Sequence, residues 1–260
     1  MRRALHVERW GDPRSPRAVC LHGVTGHGGG WRRLAETRLA GFHVVAPDLI
    51  GHGSSPYEPP WSIAEHVDAL VATLGEEPSL WVGHSFGGRL AFEVAAARPD
   101  IVERLVLLDP ALQIDARIAL YAAEEGRKDR SFASFDEGVD RRFQESFLSR
   151  ARRDDVAEDL AGYLVESEDG RWRYRYSQAA VIAAYGEMAS APPPFTAVGV
   201  PTLVVLGADS YVPYDHLRDA HRDALGDLLE VVTVPGGHTV LWDDPEATGD
   251  EVARFLAKPS

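Results

Sequence analysis

The chain has 260 residues, 45% of them hydrophobic and 26% charged, with a formal net charge of −13 from 27 basic and 40 acidic side chains. That balance supports a substantial core and excludes a disordered chain, while the negative total repels polyphosphate and anionic lipid surfaces; neither nucleic acid nor membrane is an expected partner. The single cysteine, Cys20, leaves no intramolecular disulfide, and its apolar setting in "RAVCLHG" marks a buried thiol.

Four apolar, β-branched runs come first: "RAVCLHG" (17–23), "FHVVAPD" (42–48), "SLWVGHS" (79–85) and "VERLVLLDP" (102–110). Each has the length of a buried strand. Between them, "WRRLAETRLA", "WSIAEHVDALVATLG" and "FGGRLAFEVAAARPD" repeat apolar residues every three or four positions, as helices do. The alternation predicts an α/β fold with a mostly parallel sheet covered by helices on both faces. It then stops. Residues 111–191 are rich in Arg, Asp, Glu and Ala, reading as several helices without a convincing strand, and the prolines of "APPPF" (191–195) close the segment. Strand and helix resume with "PTLVVLGADS", "YDHLRDAHRDALG", "LLEVVTVPGGH" and "DPEATGDEVARFLAKP". The organisation expected is a core of residues 1–110 and 192–260 interrupted by a helical cap, 111–191. No run approaches the roughly 18 apolar residues that span a bilayer, and the first residues lack a signal-peptide core, so a soluble cytoplasmic protein, monomeric or homodimeric, is expected.

Chemistry enters at "GHSFGG", where Ser85 stands between a strand and a helix with Gly83 and Gly87 on either side. A serine hydroxyl attacks carbonyl carbon only with a base in reach, usually a histidine oriented by a carboxylate. Two later strands end in suitable residues: Asp209 follows "PTLVVLG", and His238 follows the last strand through a glycine pair. Ser85, Asp209 and His238 are therefore the candidate triad, in the chain order such a sheet requires. A tetrahedral oxyanion needs backbone donors. "LHGVTGHGGGW", after the first of the four strands, offers the Val24 amide, and the helix start offers that of Phe86.

With "LHGVTG", "PDLIGHGSS", "GHSFGG", "LGADSYVP" and "GGH" in this order, the chain resembles the α/β-hydrolase fold superfamily, in its capped serine-hydrolase branch. The resemblance implies an eight-stranded sheet with the cap after strand six, nucleophile Ser85, acid Asp209, base His238 and oxyanion donors Val24 and Phe86. It implies hydrolysis of a small carboxylic ester or related acyl substrate through an acyl-enzyme. Lactonase, thioesterase, amidase and C–C hydrolase chemistry on the same triad, or a weakly catalytic small-molecule binder, are the alternatives. The acid loop looks one residue shorter than the family's common form, and it is aligned here on Val212 and Pro213.

Other polar residues read as structural. Asp109 also ends a strand, a position from which some relatives of this fold take the acid, but it is read as a loop-ordering aspartate because Asp209 fills the role. Asp48 and His52 belong to a glycine-rich turn held by side-chain hydrogen bonds. His22 organises the oxyanion turn, His84 points away from Ser85, His27 is a candidate for the pocket mouth, and His216 and His221 are expected to be solvated. In "DGRWRYRYSQ" the alternation sets Arg171, Arg173 and Arg175 opposite Trp172, Tyr174 and Tyr176, with the rings laid over the pocket. No paired cysteines, H-E-x-x-H or G-K-[ST] motif is present, so neither a metal nor a cofactor is expected.

Overall fold

In the computed structural model, which describes residues 3–258, the apolar runs form one sheet whose central strands are hydrophobic on both faces. Its strands are β1 (Val7–Trp10), β2 (Arg17–Leu21), β3 (His43–Pro47), β4 (Ser79–His84), β5 (Val102–Leu108), β9 (Thr202–Gly207) and β10 (Leu229–Val234). They lie in the order β1-β3-β2-β4-β5-β9-β10, all parallel except the antiparallel edge strand β1. Alternate residues feed opposite cores. Val19, Trp81, Leu105 and Val204 face one, while Cys20, Val82, Val106 and Leu203 face the other.

Helices α1 (Arg32–Thr37), α2 (Ile63–Leu74), α3 (Phe86–Ala97), α8 (Asp215–Leu225), α9 (Val240–Asp243) and α10 (Pro245–Leu256) join the sheet strands. Their starts follow from capping residues: the Ser62 hydroxyl accepts from the Glu65 amide, and the Asp244 carboxylate from that of Ala247. Among the described residues, no helix is long and apolar enough to cross a membrane.

Two expectations are corrected here. The sheet has seven strands among the described residues, because the chain before β1 leaves the sheet edge: Arg3 bonds the carbonyls of Glu58, Pro59 and Pro60, and the Leu5 amide bonds Thr73. Among the described residues no strand precedes β1, and the insertion follows the fifth sheet strand in chain order, not the sixth. Nor is it wholly helical. Alongside α4 (Ala116–Gly126), α5 (Phe135–Glu145), α6 (Arg153–Leu160) and α7 (Gln178–Met188) it carries a small antiparallel sheet of β6 (Ser131–Phe132), β7 (Leu164–Glu166) and β8 (Trp172–Tyr174). The "RWRYR" alternation is what builds β8: Tyr174 is buried in the insertion's own core, while Arg173 faces outward to Asp169. Arg171 bonds Ser131, and Arg175 bonds Ser54.

The crossing of α3 over the sheet is tightly packed. A Cβ on Gly87 would fall within contact distance of the Leu21 and His22 carbonyls, and one on Gly83 against the Gly87 backbone. Backbone cannot move aside as a side-chain tip can. Gly87→Ala is expected to lower stability by about 1–3 kcal/mol, the usual cost of overpacking. An unchanged urea midpoint would show that the helix can shift freely.

Candidate active site

Ser85 occupies the turn between β4 and α3 with φ of 54° and ψ of −117°, a left-handed conformation that a serine adopts only under constraint. The constraint is visible: its amide donates to the Leu108 carbonyl, and its own carbonyl accepts from Arg89 and Ala111. This lifts the side chain to the carboxyl edge of the sheet.

There Ser85 Oγ lies 2.9 Å from His238 Nε2. His238 Nδ1 lies 2.6 Å from the carboxylate of Asp109, not from Asp209. Of the three side chains expected together, the structure brings Ser85 and His238 into contact and leaves Asp209 outside. Asp209 is solvent-exposed in the turn after β9, tied there by its amide to the Gly236 carbonyl. Asp109 is buried at 1% exposure at the end of β5, with φ of 41° turning it toward β9. Its Oδ1 accepts from the Gly207 amide at 2.9 Å, and its Oδ2 accepts both the Ser210 hydroxyl and the His238 ring. These three donors fix the carboxylate's orientation. The bond to Nδ1–H fixes the tautomer, leaving Nε2 free to accept from Ser85.

Sequence reasoning missed three supports of this pair. Ser210 is one: its hydroxyl donates to the same Asp109 oxygen that bonds His238. His84 is another: its ring packs 4.9 Å from that of His238, and its Nε2–H donates to the His238 carbonyl at 2.9 Å. The third is Asp243, whose Oδ2 accepts from the Gly237 amide at 2.7 Å while Oδ1 accepts from the amides of Ser149, Arg150 and Ala151. It ties the histidine loop to the insertion. No sequence pattern signals it, since "WDDPE" reads only as a helix start.

The turn after β2 lies directly against Ser85, a Cβ on Gly23 coming 3.1 Å from that of Ser85. A bond from the Gly26 amide to the Gly23 carbonyl closes it. His22 Nδ1–H donates to the Gly23 carbonyl at 2.8 Å, and its Nε2 accepts from Leu49 at 2.9 Å. His52 Nε2 bonds the Val24 carbonyl and so orients that peptide. Asp48 accepts from the amides of Gly28 and Ser54, holding the two loops together as the turn reading expected. The Phe86 amide, first in α3, has no carbonyl of its own helix to bond. His27 stacks on Tyr163 at 4.1 Å, and the Tyr163 hydroxyl donates to the Gly26 carbonyl. Beside His238 stand the exposed rings of Tyr211 and Phe147, in edge contact with each other. Among the described residues, no group of three or more His, Cys, Asp and Glu side chains is placed to hold a metal ion.

Several of these histidines are held neutral by burial. It pushes His66 down to about 3, His221 to about 4 and His84 to about 4, the last aided by the charge on His238; His22 and His52 are lowered as well. His221 corrects an expectation: it is buried, bonded to the Tyr214 hydroxyl and stacked on Phe195, because its helix packs that face inward. An unfolded chain protonates these rings below about pH 6.5, whereas in the folded chain His66, His84 and His221 refuse the proton until roughly pH 3–4. The unfolded state therefore binds more protons in that window, and stability falls as pH falls, by up to about 1.4 kcal/mol per pH unit per histidine. The urea midpoint should drop steadily from pH 6.5 to 4. His66→Phe, replacing a ring whose Nδ1 has no partner and which sits edge-on to Phe86, should flatten that slope; an identical slope would mean His66 does not contribute.

A mostly parallel sheet, a serine on a strained strand-to-helix turn and a histidine bridging it to a buried aspartate are features of one large class of enzymes. The chain belongs to the alpha/beta hydrolase fold family, which matches residues 16–245. It is 39% identical to Lipase LipV of Mycobacterium tuberculosis, over 97% of this chain and 96% of that protein. It is 31% identical to the sn-1-specific diacylglycerol lipase ABHD11 of Mus musculus, over 95% and 83%. A crystal structure of E-2-(acetamidomethylene)succinate hydrolase superimposes with a TM-score of 0.87 at 23% identity, covering 99% of this chain and 98% of that one.

Proposed function

We propose that this protein is a serine hydrolase that cleaves a small carboxylic ester through an acyl-enzyme, with Ser85 as nucleophile, His238 as base and Asp109 as the acid. The observation that carries the reading is the continuous bond chain from Ser85 Oγ through His238 to the Asp109 carboxylate. His238 Nε2 takes the Ser85 proton as Oγ attacks the acyl carbon, and the carbonyl oxygen becomes an oxyanion held by the Val24 and Phe86 amides. Each such donor is worth about 3 kcal/mol in the transition state. His238 then passes its proton to the departing alcohol. Water, deprotonated by His238, attacks the acyl carbon and releases acid and free Ser85. The insertion over 111–191 acts as the cap that bounds the pocket. Relatives named lipase, diacylglycerol lipase and esterase support an ester as the scissile bond.

A fluorophosphonate should label the protein at Ser85, located by peptide mass spectrometry, and short-chain esters should turn over with an initial burst. Labelling without turnover across esters, lactones and thioesters would identify a binder instead.

A further inference from the structure

One guanidinium of the insertion faces the β2 turn with no anionic partner among the described residues. Arg142, on α5, is 7% exposed and makes two hydrogen bonds, both to Thr25: Nη1 to the hydroxyl at 2.5 Å and Nη2 to the carbonyl at 2.9 Å. Its Nε–H is buried without an acceptor, and among the described residues it forms no ion pair. The Tyr174 ring covers one face, 4.5 Å from Cζ. A guanidinium carries five donors, so three remain unused.

Arginines elsewhere in the chain show how a purely structural one is satisfied. Arg89, equally buried, gives Nε to Glu93 and its remaining groups to Leu112, Ser190 and Ala191. Arg130 forms a two-pronged pair with Glu145. Arg142 has neither arrangement. Neutral oxygens on Thr25 orient the fork but leave its charge uncompensated, and a buried, uncompensated charge is unfavourable unless something brings the opposite charge.

The position of Arg142 says which part of a substrate would meet it. In the sheet order, β2 and its following turn lie on one side of β4 and Ser85, while β5, β9 and β10, which carry Asp109 and His238, lie on the other. The leaving group must reach His238 to be protonated, so the acyl chain extends away from His238, on the side of Ser85 where Thr25 of the β2 turn holds Arg142. A net charge of −13 repels anions from most of the surface, which makes one buried cation the selective element.

We propose that Arg142 is the receptor for a second carboxylate on the acyl portion of the substrate, and that the preferred substrates are half-esters of short dicarboxylic acids. This rests on the serine-esterase reading of the same site. A carboxylate matches the planar fork with paired, charge-assisted hydrogen bonds that a neutral acyl chain cannot make.

The test compares monomethyl glutarate with methyl valerate, equal in acyl length and differing in the terminal charge. Wild-type protein, Arg142→Met and Arg142→Lys are each assayed for kcat/KM by acid release. The ratio of the two substrates cancels any loss common to both. The wild-type ratio should favour the half-ester; Met should reduce the ratio by at least about tenfold, mainly through KM, and Lys, which keeps the charge without the fork, should fall between. Should the Met protein not fold, the Lys ratio alone decides. A wild-type preference for methyl valerate, or a ratio unmoved by substitution, overturns the proposal. Turnover of neither ester would instead count against the esterase reading, and glutarate binding read by thermal shift then decides: stabilisation of wild type that is lost on substitution supports Arg142 as the receptor, and an equal shift overturns it.

Discussion

Ser85→Ala is expected to lower kcat on an activated ester by about 10⁶-fold, because in the proposed mechanism it removes the atom that forms the acyl-enzyme and leaves His238 without a proton to accept. The fold should survive. The constraint on residue 85 comes from its backbone bonds to Leu108, Arg89 and Ala111, none of which uses the hydroxyl. Residual catalysis of about 10³-fold over water is expected from the oxyanion amides and substrate binding, which the substitution does not touch. Circular dichroism and the thermal midpoint should match wild type, and fluorophosphonate labelling should vanish. A variant that retains turnover within tenfold of wild type would place the nucleophile elsewhere.

Most of the architecture was legible because strand and helix alternation is written in hydrophobic periodicity, and six of the seven sheet strands lie within the apolar runs, the edge strand β1 ("VERW") being the exception. The elbow was legible for a local reason: Gly83, Ser85 and Gly87 are neighbours, and their crowding requirement is met within five positions. The insertion was harder. Its strands are two or three residues long and gain stability from Phe132, Leu164 and Tyr174 packing together, a contact between distant segments that no short window contains. Arg142 is similarly silent in sequence, one arginine among many on a charged helix, until folding sets it on Thr25. The triad acid failed for a different reason. Asp109 and Asp209 end adjacent parallel strands at the same sheet edge, and the choice between them depends on the path of a loop only a few residues long. The shortness of "LGADSYVP" was the visible sign, and its consequence is physical: the turn sets the Ser210 hydroxyl on the Asp109 carboxylate and leaves Asp209 exposed, so that the carboxylate bonded to His238 comes from one strand over.

Asp109→Asn is accordingly expected to cost about 10⁴-fold in kcat, whereas Asp209→Asn should stay within a few-fold of wild type. The large effect is tautomeric. An amide at position 109 can present its NH₂ to His238 Nδ1, which then accepts; the proton moves to Nε2, and the ring can no longer take one from Ser85. The charge matters as well, since the imidazolium formed during attack loses the anion that sits 2.6 Å from Nδ1. Because Asp109 also holds the Gly207 amide and the Ser210 hydroxyl, some loss of stability accompanies the substitution, about 1–3 kcal/mol for a buried charged acceptor. Stability and catalysis can be separated with Ser210→Ala, which removes one donor to Asp109 and leaves the histidine bond intact; its kcat should fall far less than that of Asp109→Asn. A loss at Asp209→Asn matching that at Asp109→Asn would mean that the β9 loop swings Asp209 onto His238 during turnover.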